Sequence, residues 1–235
     1  MVMTLSSIIN EELEKLLQVS PDNDSNCHIE LDAKGVIVHG NQFNFKHTFS
    51  DSQFLKRLIQ PNQLLLKACN NKQRSIRTVL DLTGGWGMDS FMIAHNGRDV
   101  TMLEQNRLVY AITAHSLKCA ETIPKLSQTA GRINIFNTNG SEFLADPMNM
   151  SRFDCIYLDP MFPSHKSSAK PSKEMQLLQQ MTANVDIELA FKLALAQAKN
   201  RVVMKRPLKS PPFSDRRPDL VYREKTIRFD VYLTA

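Results

Sequence analysis

The sequence predicts a doubly wound α/β fold, with a parallel sheet from about residue 76 onward and a small α+β unit before it. Three observations lead there. Apolar runs of strand length alternate with helical segments between Ile76 and Met204. The first run closes in a glycine-rich turn, Asp81-Leu82-Thr83-Gly84-Gly85-Trp86-Gly87-Met88-Asp89, that opens a helix. A later run, Phe153 to Leu158, closes in Asp159-Pro160-Met161-Phe162-Pro163, so a carboxylate, a proline and a ring stand at a strand end. Alternating β and α units imply crossover connections and hence parallel strands. Ligands of such sheets bind outside the carboxyl ends of the strands.

The elements follow in chain order. Residues 5–19 place Leu5, Ile8, Ile9, Leu13, Leu16 and Leu17 near helical spacing. His28–Leu31 and Val36–Val38 flank Asp32-Ala33-Lys34-Gly35, a hairpin pattern. Gln42 to Phe49 alternates as a third strand, and Phe54 to Ala68 reads as helix interrupted at Pro61. Residues 1 to about 70 are therefore taken as the α+β appendage. Ile76–Leu82 is then a strand, Trp86–His95 a helix stopped by Asn96-Gly97, and Val100–Leu103 a strand ending at Glu104. Asn106 caps a helix running to about Ala120. Ile133–Phe136, Phe153–Leu158 and Arg201–Met204 complete the strands, with a helix from Ile187 to Ala198 behind Asp186. Val221–Ile227 and Phe229–Leu233 suggest a closing antiparallel pair.

Composition narrows the function classes. With 235 residues, 42% hydrophobic and 23% charged, the chain has enough apolar mass for a real core. No apolar run approaches the ~20 residues of a membrane span. The first residues have neither a basic start nor an apolar signal core. A cytoplasmic location is expected. Cys27, Cys69, Cys119 and Cys155 form no CxxC pair, and the six histidines show no metal-ligand spacing, so neither disulfides nor a metal are expected. The net charge of +5 is uneven. Between Lys199 and Arg228 ten basic residues face only Asp215, Asp219 and Glu224. That asymmetry favours a polyanionic partner.

The glycine turn lets backbone approach a ligand, and the following helix start offers free N–H groups. Glu104 ends the next strand about twenty residues on, where a ribose-binding acid belongs. A dinucleotide reading meets two obstacles. Ser90 stands where a third glycine would be, and Asp81 and Asp89 would repel a pyrophosphate. The acids suit a cationic ligand instead. S-adenosylmethionine (SAM) fits, with its ammonium, sulfonium and ribose diol. Asp81, Gly85, Asp89 and Glu104 are the candidate contacts, and Asn139-Gly140 lies where adenine would sit. Trp86 is read as packing against the sheet.

Asp159 and Phe162 resemble the (Asp/Asn)-Pro-Pro-(Tyr/Phe) motif of SAM-dependent amino methyltransferases, with Met161 in place of the second proline. With that departure the chain resembles the RsmJ family of small-subunit ribosomal RNA (guanine-N2)-methyltransferases. The likeness lies in Asp81 to Asp89, in Met102-Leu103-Glu104-Gln105-Asn106 and in Tyr157-Leu158-Asp159-Pro160-Met161-Phe162-Pro163 with Lys166 and Lys173-Glu174-Met175. It continues in Arg201 to Pro207 and in Arg228-Phe229-Asp230-Val231-Tyr232. The resemblance implies a class I methyltransferase Rossmann-like domain over residues 71–235 with antiparallel C-terminal strands. It implies SAM as cofactor, held by Met88, Asp89, Glu104, Gln105, Asn139, Gly140 and Asp159. It implies 16S ribosomal RNA or the small subunit as partner. Three features depart from the family. Met88 and Gln105 stand where arginines are usual, and Lys46–Asp51 lacks a glycine- and arginine-rich turn.

In this reading Asp159 and the Pro160 carbonyl accept hydrogen bonds from the target amine while Phe162 stacks on the base. Lys166, Lys170, Lys173, Lys205, Arg206 and Lys209 hold flanking phosphates. Two alternatives remain. One is an amino methyltransferase acting on DNA adenine, DNA cytosine or protein glutamine. The other is a non-catalytic RNA-binding protein of ribosome assembly.

Overall fold

The computed structural model describes residues 28–39, 44–61, 63–71, 73–160 and 186–234. The expected helix over residues 5–19 lies outside them, as do Met161, Phe162, Lys166, Lys170 and Lys173.

Strands β1 (His28–Asp32), β2 (Gly35–His39) and β3 (Asn44–His47) form an antiparallel sheet of their own. The β1–β2 pairing closes on Asp32 opposite Gly35, as the hairpin pattern predicts. The interrupted helix separates into α1 (Ser52–Leu58), capped by the Asp51 carboxylate, and α2 (Leu64–Ala68).

The larger sheet contains β4 (Thr78–Asp81), β5 (Asp99–Leu103), β6 (Ile133–Phe136), β7 (Cys155–Leu158), β8 (Arg201–Pro207), β9 (Leu220–Arg223) and β10 (Ile227–Leu233), in the order β6-β5-β4-β7-β8-β10-β9. The first five are parallel. β10 runs antiparallel to β8 and to β9, so the closing pair lies beside the parallel core. The chain moves outward from β4 through β5 to β6, then returns to β7 on the other side of β4. That reversal opens a crevice at the carboxyl ends of β4, β5 and β7.

Helices cover both faces. On one side α3 (Met88–His95), α4 (Arg107–Glu121) and α5 (Pro124–Ala130) join α1 and α2 around Val79, Val100, Tyr157, Val203 and Val231. On the other, α6 (Gly140–Ala145) and α7 (Ile187–Gln197) pack on Leu80, Ile156, Leu158, Val202 and Met204. Adjacent strand residues serve opposite faces, as the period-2 geometry of a strand requires. Asn106 caps α4 as expected, accepting N–H groups of Leu108 and Val109 at 3.0 and 3.1 Å.

Two expectations need correction. The helix predicted from Trp86 begins at Met88, because Gly87 takes a left-handed conformation (φ 72°) that ends the turn and caps the helix. Trp86 turns away from the main sheet. Its ring lies 5.5 Å from that of Phe45 and 5.2 Å from that of His47, in a cluster that also contains Val36, Leu108 and Ile112. The short helices α5 and α6 were not anticipated. α6 starts at the Asn139-Gly140 pair, whose Asn139 side chain caps it.

Apolar contacts also cross residue 70. Phe49 stacks on Phe91 of α3 with centroids 4.5 Å apart, and Phe54, Leu58, Leu65 and Ala68 join the same cluster. Arg201, at the start of β8, donates to the carbonyls of Ala68 and Asn70. Phe49→Ala should therefore destabilise the whole protein by about 3–5 kcal/mol, the usual cost of emptying a buried phenylalanine site. Urea denaturation followed by tryptophan fluorescence and far-UV circular dichroism should show one shifted transition rather than early loss of the first sheet.

Candidate active site

Four acids meet the crevice. Asp81 is the last residue of β4, Glu104 follows β5, Asp159 follows β7, and Asp89 lies in the first turn of α3. Each strand ends there for a local reason. The Leu82 N–H donates to the Tyr157 carbonyl at 3.0 Å and the Gly84 N–H to the Leu103 carbonyl at 2.8 Å, so the turn is stitched to both neighbours of β4. Gly84 is needed for this approach. A Cβ there would lie 2.5 Å from Met102 Cγ and 2.9 Å from the Leu103 carbonyl oxygen.

Asp81 is 1% exposed. One oxygen accepts the Thr83 N–H at 3.0 Å and the other the Ser90 hydroxyl at 2.6 Å. Burial raises its pKa to about 7, helped by Asp89 and Asp159 and opposed by those two hydrogen bonds. Glu104 accepts the Gly85 N–H at 2.8 Å and the Asn106 N–H at 2.7 Å. Burial raises it as well, although backbone donors from Asn106, Gly85 and Gln105 pull it back. A carboxylate offers about four lone-pair positions, so these backbone bonds orient Glu104 without exhausting it.

Lys205 joins the other two acids. Its Nζ donates to Asp89 Oδ2 and to Asp159 Oδ2, both at 2.8 Å. The Tyr157 hydroxyl donates to Asp89 Oδ2 at 2.7 Å. Burial by itself would raise Asp89, yet Lys205 and the Tyr157 hydrogen bond hold it below the usual carboxylate range. Asp159 goes the other way: burial, with Asp89 nearby, lifts it to about 6 against the pull of Lys205. Of the paired carboxylates Asp159 is the more open, with 38% of its side chain exposed against 19% for Asp89. Its backbone N–H donates to Thr83 Oγ1 at 2.6 Å, tying the β7 end to the glycine turn.

The structure brings together most of the expected cofactor residues. Asn139 Nδ2 donates to Gln105 Oε1 at 2.9 Å, and Asn137 Nδ2 donates to the backbone carbonyls of Glu104 and Gln105 at 2.8 and 3.1 Å. Gly140 packs closely against Leu82, so that a Cβ there would lie 3.2–3.3 Å from Leu82 atoms. Met88 packs against both the main core and the cluster around Trp86. Pro160 is buried beside Asp159.

The basic residues on β8 do not behave as expected. Lys205 and Arg206 were read as phosphate contacts, but both are turned inward. Arg206 is 4% exposed, 3.9 Å from Asp230 and stacked near Phe213. Successive strand residues point to opposite faces, so one cation enters the crevice and the other the far side of the sheet. Lys209 is exposed in the turn that follows. A separate cavity of about 460 Å³, lined by Asn70, Arg77, Arg98, Asp99 and Arg132, opens at the opposite, amino-terminal edge of the sheet and holds none of the four acids.

The donor set matches a cationic ligand. Four carboxylates outweigh Lys205 and the weaker attraction of Arg57 at Asp89. Glu104, fixed by backbone, suits a vicinal diol. A ligand with an ammonium, a sulfonium and a ribose fits this excess of negative charge, whereas a pyrophosphate would be repelled.

Known proteins agree with that chemistry. A family model described as "Putative SAM-dependent methyltransferase" matches residues 13–234. Proteins named ribosomal RNA small subunit methyltransferase J are similar in sequence. The one from Francisella tularensis subsp. novicida is 30% identical over 210 residues, covering 87% of this chain and 86% of its own. The one from Coxiella burnetii is 38% identical over 173 residues, covering 73% of this chain and 66% of its own. A solved SAM-dependent methyltransferase from Neisseria gonorrhoeae has a TM-score of 0.70 at 26% identity, covering 95% of this chain and 92% of that one.

Asp81 provides a pH test. Its folded pKa of about 7 exceeds the ordinary value, so the folded state holds the extra proton between about pH 4 and 7. Its contribution to stability is complete below that window and lost as pH rises through it. Asp81→Asn, which keeps an acceptor for Thr83 and a partner for Ser90, should match the wild type near pH 4 and become progressively more stable than it up to pH 8. Urea unfolding of the two proteins without SAM across this range measures the difference.

Proposed function

Since this chain belongs to the ribosomal RNA small subunit methyltransferase J (RsmJ) family, we propose that it transfers the methyl group of SAM to the exocyclic N2 amine of a guanine in 16S ribosomal RNA. It is a SAM-dependent methyltransferase, an enzyme of the class I Rossmann-like fold. The single observation that supports this acceptor best is Asp159. It is a half-open carboxylate at a strand end, braced from behind by Lys205 and followed by Pro160.

SAM, when bound, supplies an already activated methyl, so the protein's task is alignment more than acid–base strength. Asp81, Asp89 and Glu104 are the acids we assign to it, Glu104 for the ribose and the others for the cationic end. Gly85, Gln105, Asn139 and Gly140 complete that side of the crevice, and Met88 supports it from the core. Asp159 and the Pro160 carbonyl accept hydrogen bonds from the amine. A guanine N2 lone pair is delocalised into the ring. Two acceptors on its hydrogens favour the pyramidal nitrogen that can attack, and they stabilise the positive charge that develops there. Phe162 is assigned the stacking role, worth about 1–3 kcal/mol for an aromatic against a base. The base must be unpaired or flipped to enter such a crevice. Lys166, Lys170, Lys173 and Lys209 are the phosphate contacts we retain. Among the described residues no helix is long and apolar enough to cross a membrane, and the cytoplasm, where ribosomal RNA is made, is the proposed location.

The purified protein, given methyl-labelled SAM and small subunits lacking this modification, should place label in N2-methylguanine on nucleoside mass spectrometry. Label in DNA adenine, DNA cytosine or protein glutamine, or none at all, would refute the acceptor. Asp159→Ala should lower kcat by about 10²–10³-fold, the range seen when one preorganised hydrogen-bonding group is removed. Titration calorimetry should find SAM affinity changed far less.

A further inference from the structure

We infer that Lys205 is the positioning residue of the transfer: it clamps Asp159 to Asp89 through one carboxylate oxygen and leaves the other to receive the target amine. This rests on the reading that Asp159 holds the acceptor.

Strand register brings the two residues level. Leu158 pairs with Met204 across the parallel β7–β8 ladder, so Asp159 and Lys205, one residue on, stand level at the carboxyl edge. Both share a face with Tyr157 and Val203, which look toward α3, where Asp89 sits. The ammonium therefore meets two carboxylates that come from a strand end and a helix start. It contacts Oδ2 of each. Among the described residues no donor engages Oδ1 of Asp159, while its backbone N–H is held by Thr83. A carboxylate fixed at its backbone and at one oxygen has little freedom left, and its second oxygen faces a defined direction. Lys205 is 23% exposed, so a phosphate would have to break two short ion pairs to reach it. The geometry is that of a brace and not of a surface cation.

The brace also has an electrostatic effect. Asp159 is faced by Asp81 from β4, Asp89 and the Tyr157 hydroxyl from α3 and β7, and Lys205 from β8. Arg57 from α1 acts through Asp89. Tyr157 is pushed well above its ordinary value by burial and by these acids, so it stays neutral and does not compete. Asp159 accepts the amine's hydrogen bonds best when ionised. Burial and Asp89 oppose that state, and Lys205 favours it more strongly than Asp89 disfavours it. Activity should thus rise with pH through about 6. Removing the ammonium should move that rise upward, because a nearby opposite charge ordinarily shifts a carboxylate by about 1–3 pH units.

The test is the pH dependence of kcat/KM with small subunits as substrate and saturating SAM. Lys205→Met should lose about 10²-fold in kcat near pH 6, with its acidic limb displaced upward by about one unit or more. KM for the subunit should stay within about threefold. Lys205→Arg, which keeps the charge, should restore the limb and part of the rate. If Lys205→Met fails to fold, the Asp89→Asn, Lys205→Met double variant removes the stranded acid. Its limb should still lie above that of the wild type. An unshifted limb in whichever variant folds would overturn the inference. So would a higher KM with a salt dependence weakened by about one counterion, the mark of a lost phosphate contact. A wild-type enzyme that labels another acceptor would sink the guanine assignment instead, and the Lys205 shift would then be read on that acceptor.

Discussion

The ammonium of Lys205 sits between two carboxylates, and much of the carboxyl edge is arranged to permit it. Charges buried without partners are costly enough that they usually neutralise or move. Here the sheet supplies the compensation. The β7–β8 register sets Asp159 level with Lys205, the left-handed Gly87 ends the turn so that Asp89 falls in the first turn of α3, and Tyr157 adds a hydrogen bond to the same oxygen that Lys205 holds. Among the described residues Asp81 has no such partner, and it rides up to about 7. The edge is thus graded. One acid is kept charged by an ion pair, one is poised near neutrality by burial, and one lies open at the rim.

Asp81, Glu104 and Asp159 were legible in the sequence because each stands at or just past the end of an apolar run of strand length. Parallel pairing then brings the carboxyl ends of those runs to one edge. The caps at Asn106 and Asp186 were legible for a similar reason, since a short polar side chain before an apolar-periodic stretch has a local hydrogen-bonding cause. Lys205 and Arg206 were misread because sequence displays charge but not direction. Two adjacent basic residues in a strand must part company, and the acid that claims Lys205 on α3 lies 116 residues earlier in the chain. Strand alternation was the available signal. Val203 and Lys205 share one parity, Met204 and Arg206 the other.

The Asn139-Gly140 pair was ambiguous in a different way. The same two residues make a turn or start a helix; here they start one, with Gly140 set close against Leu82, where a Cβ would meet its atoms at 3.2–3.3 Å. Such a close approach comes from the turn that follows β4, far off in the chain, and has no local trace. Trp86 was read as packing against the sheet. The structure agrees on packing and differs on the partner, which is the small hairpin sheet and α4.

That partner has a consequence for anyone grafting parts between relatives. The glycine turn assigned to the cofactor carries Trp86, and the socket for Trp86 is built by Phe45 and His47 of β3, with His47 held neutral by burial. A chimera that exchanges the turn alone, or the first fifty residues alone, would inherit a key from one parent and a lock from the other. The transplantable unit is the pair, and its boundaries ignore the order of the chain.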